Sequence, residues 1–163
     1  MEFRAKMFEE LSARELYEIL KARATVFVKE QGISYVDEDD VDYQCLHCYF
    51  CDDEKVAGYL RAFRDDAREG YVSVGRVLSV DHGKGIGTAL IRQSIQAIRE
   101  RFQCEKIRMD AQKHAVSFYD FDREFRELYG SLMCKELRGT ATGQCNDFVG
   151  AAARLASQIV GVG

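Results

Sequence analysis

The amino-acid sequence predicts an α/β fold, a mixed sheet flanked by helices. Three observations carry that prediction. Stretches of strand-like alternation stand between stretches of helical periodicity. Two adjacent strand segments are joined by the short acidic turn Asp52-Asp53-Glu54-Lys55, a hairpin signal. A third strand then runs through a glycine-rich loop into a helix and on to a further strand, the crossover that a mixed sheet requires.

Taken in order, residues 12–30 read as a helix: Ser12 is the N-cap, Glu15 stands three positions on, and Leu16, Ile19, Leu20 and Ala24 recur at helical spacing. Gln31-Gly32 ends it, and an acidic turn-like stretch follows with Asp37, Glu38, Asp39, Asp40 and Asp42. Residues 45–51 and 56–63 are the hairpin strands, and residues 71–80 form the third, where Val72, Val74 and Arg76 alternate with Ser73, Gly75 and Val77. A helix runs from Gly87 or Thr88 to Phe102 on Ala89, Leu90, Ile91, Ile95 and Ile98. Residues 106–111 are a short strand, residues 115–137 are helical up to a cap at Gly139, and a last helix covers about 146–160.

Composition narrows the function classes. A chain of 163 residues with 47% apolar and 31% charged residues can bury a core and is not a disordered protein. The net charge of −4, from 27 acidic and 23 basic residues, argues against nucleic acid as a partner, because phosphate binding needs a basic face. No apolar run is long enough to span a bilayer, and the start Met1-Glu2-Phe3-Arg4-Ala5-Lys6 lacks the apolar core of a signal peptide. The expectation is a cytoplasmic protein, no membrane partner, and six cysteines that are mostly reduced.

The chemistry is expected at the loop His82-Gly83-Lys84-Gly85-Ile86-Gly87 and the helix start at Thr88. Alternate glycines let the backbone turn tightly and converge its N–H groups, and a helix N-terminus adds unpaired amides and a positive dipole end. Such a cup suits a phosphate or pyrophosphate. The Walker pattern fails because Gly85 follows Lys84 where Ser or Thr is needed. The dinucleotide pattern fails because Thr88 stands three places after Gly85, and Leu90 three places after Gly87. A glycine-rich turn opening a helix with no ligand is the competing reading.

Beyond the loop, residues 8–119 resemble the ElaA-like branch of the GCN5-related N-acetyltransferases (GNAT). The likeness is carried by Leu16-Tyr17-Glu18-Ile19-Leu20-Lys21, Arg23, Val26-Phe27-Val28-Lys29-Glu30-Gln31 and Tyr35/Asp37/Asp39/Asp42, followed by His47 and Val56-Ala57-Gly58-Tyr59-Leu60-Arg61. It continues through Gly75-Arg76-Val77-Leu78, the glycine loop, Ala111-Gln112 and Phe118-Tyr119. The resemblance implies a GNAT-like mixed sheet with acetyl-CoA as co-substrate and a small-molecule or peptide amine as acceptor. It further implies that acetyl-CoA enters between the strands ending near Ser79 and Ala111, that the Val77 and Leu78 backbone holds the pantetheine arm and thioester carbonyl, and that amides over residues 83–88 hold the pyrophosphate. Where the family usually has Arg or Gln, this chain has His82. Tyr119 is the implied acid for the departing thiolate, against a reading as a core aromatic beside Phe118. Glu30, His47 and Asp110 are candidate bases, with His47 better read as a structural histidine. The acidic stretch is ordinarily a solvated face, and it would also suit a cationic amine.

After Tyr119 the family pattern breaks. Residues 120–163 read as a two-helix tail in place of the final strands, so the expected division is an acetyl-CoA-binding domain over 1–119 and a tail of different origin over 120–163. The tail resembles the C-terminal part of the C-GCAxxG-C-C family of small redox or metal proteins, with Cys134 and Cys145 as its matching cysteines. The strand over residues 106–111 would then be an edge, covered by the tail or paired with a second copy. Cys45, His47, Cys48 and Cys51 invite a zinc reading, but only Cys48/Cys51 has the Cys-x-x-Cys spacing and Cys48 alternates away from Cys45 and His47, so no metal site is expected. Two rivals to the transferase stand beside it: a CoA-binding or interaction protein without turnover, and a cysteine-based metal or redox protein.

Overall fold

The computed structural model describes residues 1–64, 70–104 and 106–109. The expected tail, with its helices and Cys134 and Cys145, lies outside those residues, and so do Asp110 and Tyr119. Five strands form one sheet in the order β1-β2-β3-β4-β5: β1 Glu2–Met7, β2 Leu46–Asp52, β3 Lys55–Arg64, β4 Tyr71–Ser79 and β5 Lys106–Met109. The first three neighbouring pairs are antiparallel and β4–β5 is parallel, so the sheet is mixed as expected. Among the described residues one α-helix lies on each face, α1 Ala13–Arg23 and α2 Ile86–Phe102.

Strand β1 was not anticipated. Its alternation is plain once seen: Phe3, Ala5 and Met7 pack on the core under α2, while Arg4 and Lys6 on the opposite face both reach Glu15 of α1, at 3.1 and 2.8 Å. Helix α1 opens as predicted, with Ser12 Oγ accepting from the Glu15 N–H at 3.2 Å and Glu15 Oε2 accepting from the Ser12 N–H at 2.9 Å. Beyond Arg23 the helix widens over Ala24–Glu30, where the Gln31 N–H donates to the Val26 carbonyl, five residues back, at 3.0 Å. Asp53 and Glu54 turn the β2–β3 hairpin, both at positive φ (46° and 63°), which matches the twist of the flanking strands.

Strand β2 is buried on both faces. Leu46, Cys48 and Phe50 join the cluster under α2 with Leu60, Val72, Leu90 and Ile95, while Tyr49 and Cys51 join Ile19, Val26 and Tyr59 under α1. On β4 the two faces exchange partway along. Val72 and Val74 point to α2, but Leu78, also an even position, points to α1, and Val77 packs on the α2 side. The register explains the exchange. Tyr59 faces Leu78 and Arg61 faces Gly75, so the single residue Leu60 stands opposite two, Arg76 and Val77. One extra residue reverses every side chain after it.

Candidate active site

Strand β5 accompanies β4 only from Tyr71 to Val74 among the described residues. From Gly75 on, the flank of β4 away from β3 has no described strand neighbour. The groups that line this flank follow from the pairing with β3. The Val80 N–H donates to the Ala57 carbonyl at 2.9 Å, and Leu78, two residues earlier, is paired with Tyr59 in the same sense. The Leu78 carbonyl lies against Gly58, 3.4 Å from where a Cβ on that glycine would stand. The Leu78 backbone is therefore turned toward β3. Extended strands alternate, so the Val77 and Ser79 amide groups face the open flank. Of the two backbone positions expected to hold the pantetheine arm and thioester carbonyl, Val77 faces this flank and Leu78 is engaged with β3.

The loop after β4 begins with Ser79 Oγ donating to the Asp81 carbonyl at 2.9 Å. Gly83 and Gly85 sit at φ 77° and 71°, a conformation that costs L side chains and suits glycine. Gly85 is the N-cap of α2 and offers no side chain to its first amides; the first helical bond is Ala89 N–H to Gly85 carbonyl at 3.1 Å. The amides of Ile86, Gly87 and Thr88 thus start the helix with neither a carbonyl partner from a preceding turn nor a capping side chain. Ile86 and Gly87 are buried, which anchors this turn to the core. Lys84 pairs with Asp81 at 2.9 Å, an exposed contact that holds neither side chain firmly.

Two of the expected site residues meet here: His82 Nε2 lies 3.1 Å from Glu30 Oε2. Glu30 is drawn to the loop that would hold a diphosphate, not to the Val77 flank. His47 is enclosed at 1% exposure, with Nδ1 2.8 Å from the Tyr59 hydroxyl and Nε2 3.0 Å from the Asp42 carbonyl. Burial lowers its pKa, so it stands as a neutral structural histidine, and it has no path to an amine.

At its three paired positions the acidic stretch is already engaged by arginines, with Asp37 and Asp42 buried and Asp39 still exposed. Asp37, Asp39 and Asp42 form a closed ring of alternating charge with Arg23, Arg61 and Arg76. Around it run Arg23 Nε to Asp37 Oδ2 (2.6 Å), Asp37 Oδ1 to Arg76 Nε (2.5 Å), Arg76 Nη2 to Asp39 Oδ2 (3.4 Å), Asp39 Oδ1 to Arg61 Nη1 (2.6 Å), Arg61 Nη1 to Asp42 Oδ1 (2.5 Å) and Asp42 Oδ2 to Arg23 Nη1 (2.9 Å). Each arginine bridges two aspartates, so three positive and three negative charges cancel within the ring. Arg23 and Arg61 are buried, and the Arg61 hydrogen bond holds the Asp39 carboxyl below its ordinary pKa. The signal missed in the sequence was the three arginines, which lie on α1, β3 and β4 and converge only through the fold.

The cysteines of β2 do not converge. Cys48 faces α2 while Cys51 lies in the cluster under α1, and Cys45 donates its thiol to the Val41 carbonyl at 3.0 Å. Burial pushes the Cys45 and Cys48 thiols up to about 12, the behaviour of inert core residues rather than of metal ligands or nucleophiles. No group of three or more metal-ligating side chains occurs among the described residues. A cavity of about 270 Å³ lined by Arg64, Gly70, Gln103, Cys104 and Lys106 lies at the other end of β4, away from the glycine loop.

The model of the acetyltransferase (GNAT) family matches residues 13–122. A UPF0039 protein from Synechocystis sp. is 31% identical over 115 residues, which is 69% of this chain and 75% of that protein. The crystal structure of an acyl-CoA N-acyltransferase from Pseudomonas aeruginosa matches with a TM-score of 0.70 at 29% identity, covering 83% of this chain and 91% of the other. The crystal structure of Escherichia coli ElaA matches with a TM-score of 0.68 at 27% identity, covering 74% and 84%.

Proposed function

The chain belongs to the acetyltransferase (GNAT) family in its ElaA-like branch, which makes it an acyltransferase, and from that premise we propose that it moves an acetyl group from acetyl-CoA to an amine. The observation that carries the proposal is the continuity of β4 and α2. One strand offers, at Val77 and Ser79, a backbone flank with no strand partner among the described residues, and the loop after it delivers uncapped helix amides at the right end of the same path. A ligand with a diphosphate at one end and a hydrogen-bonding chain ending in a carbonyl fits that path.

In this reading the amides over residues 85–88, with His82 and Lys84 beside them, bind the diphosphate. The Val77 and Ser79 backbone groups align the pantetheine arm. The neutral amine attacks the thioester carbon, and the Val77 N–H meets the oxygen that becomes negative, a contact commonly worth a few kcal/mol. Collapse breaks the carbon–sulfur bond, the nitrogen gives up its extra proton to solvent, and the CoA thiolate takes one. We assign that second proton to Tyr119. Glu30 we assign to holding His82 through their hydrogen bond, in place of the base role that sequence alone suggested. The acceptor is a small-molecule or peptide amine.

Calorimetric titration with acetyl-CoA tests the proposal, with Gly85→Glu as control. The substitution places a carboxylate in open space at the cup and a side chain at φ 71°. Micromolar binding by the native chain, lost in the control, is the expected result. No binding by a folded native chain would refute the reading.

A further inference from the structure

We propose that Arg76 is a positioning residue for acyl transfer: the aspartate ring pins it in a left-handed conformation at the β4 bulge, and that pin sets the direction of the Val77 amide. The inference rests on the acyl-CoA reading above and concerns the same flank. Arg76 has φ 56°, in the region that disfavours any side chain bearing a Cβ. It is also one of the two residues standing opposite Leu60, so its backbone is where β4 takes up its extra residue. The peptide that follows it carries the Val77 N–H.

A bulge of this kind is usually relieved by glycine at the left-handed position. Here an arginine occupies it, and its guanidinium is held by Nη2 hydrogen bonds to the Asp37 carbonyl at 3.1 Å and Asp39 Oδ2 at 3.4 Å, while Nε and Asp37 Oδ1 make a close ion-pair contact without hydrogen-bond alignment. Asp37 and Asp39 are themselves fixed by Arg23 and Arg61, which are buried in α1 and β3. The side chain therefore couples the bulge to two rigid elements. The acidic loop acts on the acyl-transfer site through Arg76, while three of its carboxylates are already neutralised. Among the six ring members, Arg76 is the one whose backbone borders the open flank.

Amide exchange followed by NMR tests this in the full chain, with acetyl-CoA as the probe and Arg76→Gly as the variant. Glycine keeps the left-handed backbone accessible and removes only the tether. In the native protein acetyl-CoA should slow exchange both at Val77 and at residues 86–88. In Arg76→Gly the slowing at 86–88 should persist, while that at Val77 should fall at least tenfold. Arg76→Lys, which retains one charged contact, should give an intermediate value. If Arg76→Gly protects Val77 as the native chain does, the proposal is overturned. If it loses both sets together, Arg76 serves the fold as a whole and the proposal is likewise overturned. A native chain that acetyl-CoA protects at neither set overturns the acyl-CoA reading itself. Should Arg76→Gly not fold, Arg76→Lys alone carries the comparison, since it removes the Nη2 bonds to Asp37 and Asp39 and leaves the Arg61–Asp39 pair intact.

Discussion

Gly58→Ala is the sharpest test of how the core positions the cofactor loop. A Cβ at Gly58 would stand 2.9 Å from Ile86 Cγ2, closer than real Cβ contacts come, and 3.4 Å from the Leu78 carbonyl. Ile86 is 6% exposed and belongs to the first turn of α2, so it cannot swing into solvent. The helix start must retreat from β3 by several tenths of an ångström, and overpacking of this kind costs about 1–3 kcal/mol. That movement carries the uncapped amides with it, so acetyl-CoA affinity should fall alongside stability. A double-mutant cycle isolates the cause. Ile86→Ala alone should cost about 2–5 kcal/mol by leaving a cavity. In the double variant the new methyl enters that cavity, and the two losses should fall short of their sum by about 1 kcal/mol or more. Urea unfolding of the four proteins measures every corner. Strict additivity, or a Gly58→Ala loss under about 0.5 kcal/mol, would refute the claim that β3 sets the height of the cup.

Two further predictions concern carboxylates. Glu30→Ala should raise KM for acetyl-CoA by a factor of about 2–12, the loss of one net hydrogen bond of about 0.5–1.5 kcal/mol, with kcat changed less than twofold. A fall in kcat of about a hundredfold or more, with loss of the acidic limb of its pH profile, would return Glu30 to the role of base. Glu15 is pushed up by burial, but hydrogen bonds from Lys6, Ser12 and Tyr49 outweigh this and hold its carboxyl well below the ordinary range. A depressed carboxylate contributes stability that is present above the unfolded pKa of about 4.3 and is lost as pH falls toward the folded value. Glu15→Gln should thus be less stable than the native chain at pH 7 and lose less between pH 5 and 2; parallel urea midpoints across that range would rule the assignment out.

Much of the fold was legible because its signals are local. The capping box at Ser12 and Glu15, the acidic hairpin turn and the glycine loop each lie within a few residues, and each produced the element expected of it. Strand β1 is also written locally, since Phe3, Ala5 and Met7 alternate with Glu2, Arg4 and Lys6 at the period of two that a half-buried strand shows. Helix α1 shows the reverse case. Apolar spacing carried the helix to Glu30 correctly, but nothing in that spacing distinguishes the widened turn over Ala24–Glu30 from regular helix, because the distinction lies in which carbonyl the Gln31 amide finds.

The candidate site was legible in its loop and illegible in its strand, for a reason that sheet geometry makes plain. A glycine loop opening a helix is written in glycines that alternate over a few residues, whereas the direction of a strand amide depends on how many residues precede it in register. Val72 and Val74 alternate toward α2, and simple continuation of that period would carry Leu78 to the same face. The extra residue at Arg76 and Val77 reverses the count, so Leu78 turns its side chain to α1 and its backbone to β3, and Val77 inherits the open flank. No residue type announces that reversal. Glycine would have, but the left-handed position holds an arginine, and what keeps it there comes from Asp37 and Asp39, nearly forty residues earlier in the chain. The acidic stretch thus misled twice for one cause: carboxylates counted without their distant arginines look like a free surface, and a bulge without its tether looks like an ordinary strand.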